Sequence, residues 1–464
     1  MKQNHQEFQV GFIWWAIGIG IFGGFMLGAH IAMQIGFNLS LPRALDVWIQ
    51  THGHLQLAGW VGLFIIGVSL HFIPRMTSVP IEKRSTLKII LFLTVSGILI
   101  RANSEFWAPY VENEKILKFF TLSSKIGNVI EFLGTLLYLA LLLKSFLKAT
   151  EFKRKGFNLV KPYFISFIIG WLIYWLVQLF EIFLDRYDWL AWNKWSIDVF
   201  MRLSLFSISF AFSILNFPLY IHLAPPRKIL KHLGYVYILI TLIYEISSAP
   251  IYYEALQIFD SNLFAILSDV LILSLLFVSG IIGRVFLPDL YLAKSPFWRR
   301  DGINEVITNI EKKPRKGYSD YGEFGKFELL IYSAYIWLLI SLFLDLLARC
   351  FTLFGLSIHY GDDPIRHSFL LGFITLLILG MAQRMLPGFM HKNKIAHKKF
   401  VFLTFLFGNI SVISRVLPTL IPHYLSGFGY IVTKFLLILF GLSGFISIIS
   451  LIFLFLNLRS TFKG

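Results

Sequence analysis

The sequence predicts an all-α integral membrane bundle of about twelve transmembrane helices, built as three parallel pseudo-repeats of four. Three observations predict it: the composition, a regular series of apolar segments, and an internal similarity between two of those segments. Of the 464 residues, 56% are hydrophobic and only 15% charged, against ~25% charged in an ordinary soluble domain. Mean hydropathy is +0.70, and Phe alone contributes 48 residues. Lipid accommodates such a surface and water does not.

A spanning helix needs ~20 mostly apolar residues. Such segments fall near 10–36, 54–73, 87–103, 126–147, 163–184, 199–223, 230–251, 263–288, 327–357, 366–388, 398–418 and 428–458. The third is the weakest, because Arg101 and Asn103 close it early. The stretch 289–326 is polar, rich in Lys and Arg, and the one long loop. After a polar start the first apolar run continues to about Ile35, too long for the core of a cleavable signal.

Charge sets the orientation. A formal charge of +16 on a soluble chain would suggest nucleic acid. Here the basic residues lie between apolar runs, so no nucleic-acid partner is expected and the lipid bilayer is. With alternate loops assigned to alternate sides, the 42 Lys and Arg divide 30 to 12 in favour of the N-terminal side, and the 26 acids 10 to 16 the other way. By the positive-inside rule both termini face the cytoplasm. The single cysteine, Cys350, excludes an intramolecular disulfide and any cysteine-ligated cluster.

The second segment reads His54-Leu-Gln-Leu-Ala-Gly59, then Gly67, then His71-Phe-Ile-Pro74-Arg75; the tenth reads Arg366-His367-Ser-Phe-Leu-Leu-Gly372, then Gly380, then Gln383-Arg384-Met-Leu-Pro387. A shift of 313 residues superimposes His54 on His367, Gly59 on Gly372, Gly67 on Gly380 and Pro74 on Pro387. A fainter copy lies in His222-Leu-Ala-Pro225-Pro226-Arg227, without a histidine where His54 would fall. One membrane domain, 1–464, with repeat units 1–150, 151–326 and 327–464, follows. At 100° per residue the glycines lie on the back of the helix from His54, where small residues permit close packing.

Ionisable groups inside a membrane are costly and usually functional. His52, His54, Arg101, Glu105, Glu131, Glu181, Arg202, Glu245, Asp269, Asp345, Arg349, Arg366, His367 and Arg415 gather toward the outer helix ends, as a polar chamber would require. Several could simply mark interfacial helix ends, and Asp345 and Arg349, spaced i, i+4, could simply pair. His54 and His367 hold equivalent positions at one depth, and imidazoles from facing helices can ligate a haem iron. His52 lies about 200° around the helix from His54, so one of the two is a ligand candidate while the other contacts a second group. Arg349, Arg366 and Arg415 are candidates to neutralise haem propionates. His71, ~25 Å further along the helix, is interfacial with Arg75, Arg384 and His391. His359, beside Tyr360, and His423, beside Tyr424, are candidates for an outer metal site. Phosphate-binding glycine loops, CxxC and His-Glu-x-x-His are missing from the sequence.

The stretch His52-Gly-His54-Leu-Gln-Leu-Ala-Gly-Trp through His71-Phe-Ile-Pro-Arg, with Arg366-His367 through Gly380-Met-Ala-Gln-Arg384-Met-Leu-Pro387, resembles the two signature helices of NnrS-family proteins. The resemblance covers about 50 residues. It implies a bacterial inner-membrane protein that contains haem and copper, linked to nitric oxide metabolism and nitrosative stress. A more distant resemblance is to the catalytic subunit of haem–copper oxidases and nitric oxide reductases, with twelve helices, threefold pseudo-symmetry and a His-Gly pair opening the second helix. That analogy makes His52 the ligand, whereas the internal repeat favours His54. The sequence departs from the oxidases on helices six and seven: the span 163–288 holds only His222 and His232, with no copper-binding histidine cluster. Ile365 stands where a second haem ligand would precede the first.

The functional expectation is a haem-binding membrane protein that handles nitric oxide, with copper as a candidate second metal. Copper would draw its ligands from His52, His54, His367, His359 and His423. The alternatives are a respiratory redox subunit with an electron donor, and a cofactor-free transporter.

Overall fold

The computed structural model describes residues 8–40, 44–79, 81, 84–150, 157–180, 186–250, 261–287, 322–421 and 429–463. Among them there is no strand, and twelve helices are long and apolar enough to cross a bilayer. These are α1 Gly11–Gly36, α2 Leu45–Thr77, α3 Arg84–Tyr110, α4 Glu114–Lys148, α5 Lys161–Phe180, α6 Trp189–Tyr220, α7 Ile229–Ser247, α8 Ser261–Val278, α9 Phe327–Leu353, α10 Asp362–Phe389, α11 Lys398–Leu420 and α12 Gly429–Lys463. The protein is a multi-pass, all-helical membrane protein.

Several helices overrun the apolar segments that announce them. α3 does not stop at Arg101. Arg101 Nε donates to Glu105 Oε1 at 2.7 Å, and Thr51 and Ser124 donate to the same carboxylate, so the charge is neutralised within the fold and the helix continues to Tyr110. α2 begins nine residues before His54 because its first turn carries Asp46, which suits the positive end of a helix dipole. His52 and His54 therefore sit well inside a helix rather than at its end.

The chain divides into two compact units. Unit 1 comprises 1–158, 174–189 and 426–452, and unit 2 the remainder. In unit 1, α1 lies on α2, and α3 on α4. The second pair approaches very closely: a methyl added at Gly97 would come within 2.6 Å of the Glu131 backbone, and one at Gly127 within 2.7 Å of that of Arg101. In unit 2, α5 lies against α6, and α7 to α11 pack as successive neighbours.

Helices α2, α6 and α10 are the most buried of the twelve spans. Their apolar windows are 78%, 72% and 83% buried, against at most 61% for any other span. Each contains a wide π-helical stretch, Leu55–Gly62, Phe200–Phe206 and Ser368–Thr375, and each carries a proline near its end, Pro74, Pro218 and Pro387. The first and third stretches are offset by 313 residues, the shift that aligns the two sequences. A π turn inserts a residue and frees backbone carbonyls, which then need other donors. In α6 those donors are Tyr237 Oη, 2.7 Å from the Arg202 carbonyl, and Ser166 Oγ, 2.9 Å from that of Leu203.

The glycines do face the preceding helix. A methyl at Gly59 would overlap Ile19 and one at Gly67 would crowd Phe12 of α1; at Gly372 and Gly380 it would crowd Trp337 and Leu330 of α9. The middle pair reverses the arrangement: Gly170 of α5 faces Leu203 of α6, whose Cβ would lie 2.6 Å from an added methyl. The middle copy also shifts register. α6 ends at Tyr220, and His222 has a left-handed backbone (φ 53°) outside the helix, so Pro218, not Pro225, is the counterpart of Pro74 and Pro387. Aligned on those prolines, Asp198 stands where His54 and His367 do.

Candidate functional site

Two polar clusters lie among the apolar helices, one in each unit. In unit 1, His52 and His54 leave α2 toward different helices, as residues two apart must. The His52 Nδ1–H donates to the Gly24 carbonyl at 2.7 Å, within the π stretch Gly20–Phe25 of α1. Gly28, one turn further along α1, leaves space that the His52 ring occupies; a methyl there would overlap it. With Nδ1 committed to a carbonyl, the neutral ring carries its lone pair on Nε2, the tautomer that metal-ligating histidines adopt.

His54 turns to α4. Its Nε2 lies 3.0 Å from Glu131 Oε2, with the two side chains 5% and 0% exposed. Trp175 stands edge-on to its ring at 6.1 Å. His54 Nδ1, Glu131 Oε1 and Trp175 Nε1 are all buried without a hydrogen-bond partner among the described residues. Glu131 is visible in the sequence as a charge in an apolar segment, but its partner is set by tertiary packing.

The cluster in unit 2 is ionic. Arg202, inside the π stretch of α6, bridges Asp269 of α8 and Asp345 of α9. Asp345 also accepts from Arg349 Nε at 3.1 Å, the i, i+4 pair, and Arg349 reaches Tyr244 Oη at 3.2 Å. Both guanidiniums lie over the Tyr244 ring. At the rim, Arg366 donates to Asp198 at 3.1 Å and Lys194 pairs with Asp362. Most of these groups, with apolar side chains such as Met201, Ile272 and Phe369, line a cavity of about 50 Å³. On the other side of α10, His367 Nδ1 is 3.0 Å from the Asp363 carbonyl and 3.2 Å from its Oδ1, which also accepts from Arg415 at 2.8 Å. His367 thus has the same Nδ1-anchored arrangement as His52, with a carboxylate added.

Arg349, Arg366 and Arg415 are each engaged by a carboxylate of the chain itself, so pairing with a propionate would require sharing that partner. His359 is an exposed residue ahead of α10. His423, Glu181 and most of the 289–326 loop lie outside the described residues. Among the described residues no three His, Cys, Asp or Glu side chains come together as a metal site, so the side chains described do not fit a copper centre. Sequence reasoning missed Asp198, Asp362 and Asp363, which precede or open apolar segments. The proline alignment is the signal that finds Asp198.

The fold is that of a known class of membrane protein. No family model matches the chain, and no curated protein matches it. Among solved structures it is similar to a haem–copper terminal oxidase dimer determined by cryo-electron microscopy, with a TM-score of 0.63 and 13% identity over 98% of this chain and 83% of that one. At such identity the likeness is one of architecture, and it spans nearly the whole chain.

Proposed function

We propose that this is a haem-binding membrane redox protein, with His52 and His367 supplying ligand imidazoles. The observation that carries the reading is the shared arrangement of the two rings: in each, Nδ1 is held by a backbone carbonyl and Nε2 carries the lone pair. Bound haem would supply gas binding and electron transfer. The chain's own part is to fix each ring's tautomer and orientation and to keep water from the buried helices. His54, with Nε2 on a carboxylate, is a hydrogen-bonding residue in this reading.

The likeness of fold to a terminal oxidase supports the redox class, and the NnrS resemblance of α2 and α10 supports nitric oxide as the small ligand. The location that goes with this reading is a bacterial cytoplasmic membrane, with both termini in the cytoplasm. A respiratory subunit fed by an electron donor is the second reading, favoured by the same architecture; steady turnover of nitric oxide or oxygen with a reductant separates it from a binder.

The test is a pyridine haemochrome spectrum and metal analysis of purified protein. Haem is expected in the wild type, at least tenfold less in His52→Ala and His367→Ala, and near-normal content in His54→Ala. Equal haem in all four proteins would sink the ligand assignment. Colourless wild-type protein would move the reading to a transporter.

A further inference from the structure

The inner part of the ionic cluster in unit 2 contains an unbalanced charge. Among the described residues its carboxyls are Glu245, Asp269 and Asp345, and its cations are Arg202 and Arg349: three acids against two bases. The rim pairs, Arg366 with Asp198 and Lys194 with Asp362, are balanced among themselves. Glu245 is 2% exposed, and both of its carboxyl oxygens lack a hydrogen-bond partner among the described residues, as does Asp269 Oδ2. An ionised carboxylate in that state is strongly disfavoured. Among the described residues the groups within electrostatic reach of Glu245 are Asp198 and Arg202 of α6, Tyr237 and Tyr244 of α7, and Asp345 and Arg349 of α9. Those around Asp269 are Arg202, Asp345, Arg349 and Tyr237.

A cavity reaches the cluster. At about 50 Å³ it has room for a few waters, each needing at least ~10–15 Å³. Arg202, Asp269, Asp345 and Arg349 line it together with Asp198, Asp362 and Arg366; Glu245 does not line it, but its chain neighbour Tyr244 does. These groups lie in the first halves of α6 and α8, in the first turns of α10, and toward the ends of α7 and α9. The π turn that places Arg202 here is the kind of helix irregularity that recurs at functional sites.

We propose that this cluster is a proton-binding site of the membrane interior: it takes up one proton, resting on Glu245, because the two guanidiniums leave one carboxyl uncompensated. The proton comes from water at the rim, and the uptake makes the inner cluster neutral. Two arginines hold two ionised aspartates, and the third acid is held as the neutral form. The site requires no cofactor and stands or falls independently of the haem assignment.

Infrared spectroscopy of the full-length protein in lipid nanodiscs tests this, because a protonated carboxyl has a C=O stretch that shifts in D₂O. Any other protonated carboxyl of the protein absorbs in the same region, so the band is assigned by difference. Glu245→Gln is expected to remove the intensity of one carboxylic acid at neutral pH. Asp269→Asn is expected to remove the same band although Glu245 is intact, since two acids then face two arginines and Glu245 ionises. Arg349→Met is expected to add one. Selective ¹³C-Glu labelling of the wild type locates the band on a glutamate without altering the fold. The proposal is overturned if Asp269→Asn leaves the band in place, which would make Glu245 neutral through burial alone. It is equally overturned if the label shifts no such band, or if sodium in place of choline abolishes it, which would make a metal cation the counter-charge.

Discussion

Unit 1 and unit 2 place polar groups among apolar helices in opposite ways. Unit 1 buries an imidazole–carboxyl pair, His54 with Glu131, beside a histidine held by a backbone carbonyl, and keeps an arginine pair, Arg101 with Glu105, within a single helix. Unit 2 buries an alternating net of arginines and aspartates around water-sized space. The position is nevertheless shared: counted from the prolines, His54, Asp198 and His367 stand in one register of α2, α6 and α10. Where that position is a histidine, its ring is anchored by a carboxylate. Where it is an aspartate, its partner is Arg366, the neighbour of His367. The scaffold repeats while its chemistry changes.

The contrast can be broken most sharply at Arg202. Arg202→Met removes the cation shared by two buried carboxylates and is expected to cost about 3–5 kcal/mol, read as lost thermal stability in detergent. A loss below 1 kcal/mol would mean that the net is not electrostatic. Next come the helix contacts: Gly59→Ala and Gly372→Ala each force a methyl into a neighbouring helix and should cost about 1–3 kcal/mol, in the same assay. If only one is sensitive, the two pairs are not equivalent. Glu131→Gln keeps the shape of the unit 1 pair and alters one hydrogen bond, so about 1 kcal/mol is expected; a cost matching that of Arg202→Met would erase the distinction between the units.

The smallest effect belongs to Tyr360, whose hydroxyl donates to the Leu344 carbonyl at 2.7 Å. Burial, aided by Asp345, pushes its hydroxyl up to about 12. The folded state therefore holds that proton more tightly than the unfolded chain. The resulting stability is complete below pH ~10 and lost as pH rises toward 12. Tyr360→Phe should flatten the alkaline loss and cost about 0.5–1.5 kcal/mol at neutral pH.

How much of this was legible in the sequence follows from what hydropathy can see. The twelve spans are legible because ~20 apolar residues in a row have few alternatives. Their ends are less so: Arg101 and Asn103 look like a stop until Glu105 is in place, and α2 begins nine residues before His54. The π stretches leave no trace, since one inserted residue among leucines changes no pattern. His52 and His54 could be seen to diverge, but only packing shows that one meets a backbone carbonyl and the other Glu131. Asp198 was lost because it precedes an apolar run and because His222-Leu-Ala-Pro225 imitates the end of α2 more closely than Asn216-Phe217-Pro218 does.

The exchange of small for large between α5 and α6 has a consequence for biogenesis. Helices enter the bilayer one after another and must find the right neighbour among segments of similar composition. Helix α5 against α2 would set Gly170 opposite Gly59 and leave a gap, while α1 against α6 would drive Ile19 into Leu203. Steric matching of this kind discriminates at short range, where apolarity cannot, and so sorts the copies during insertion.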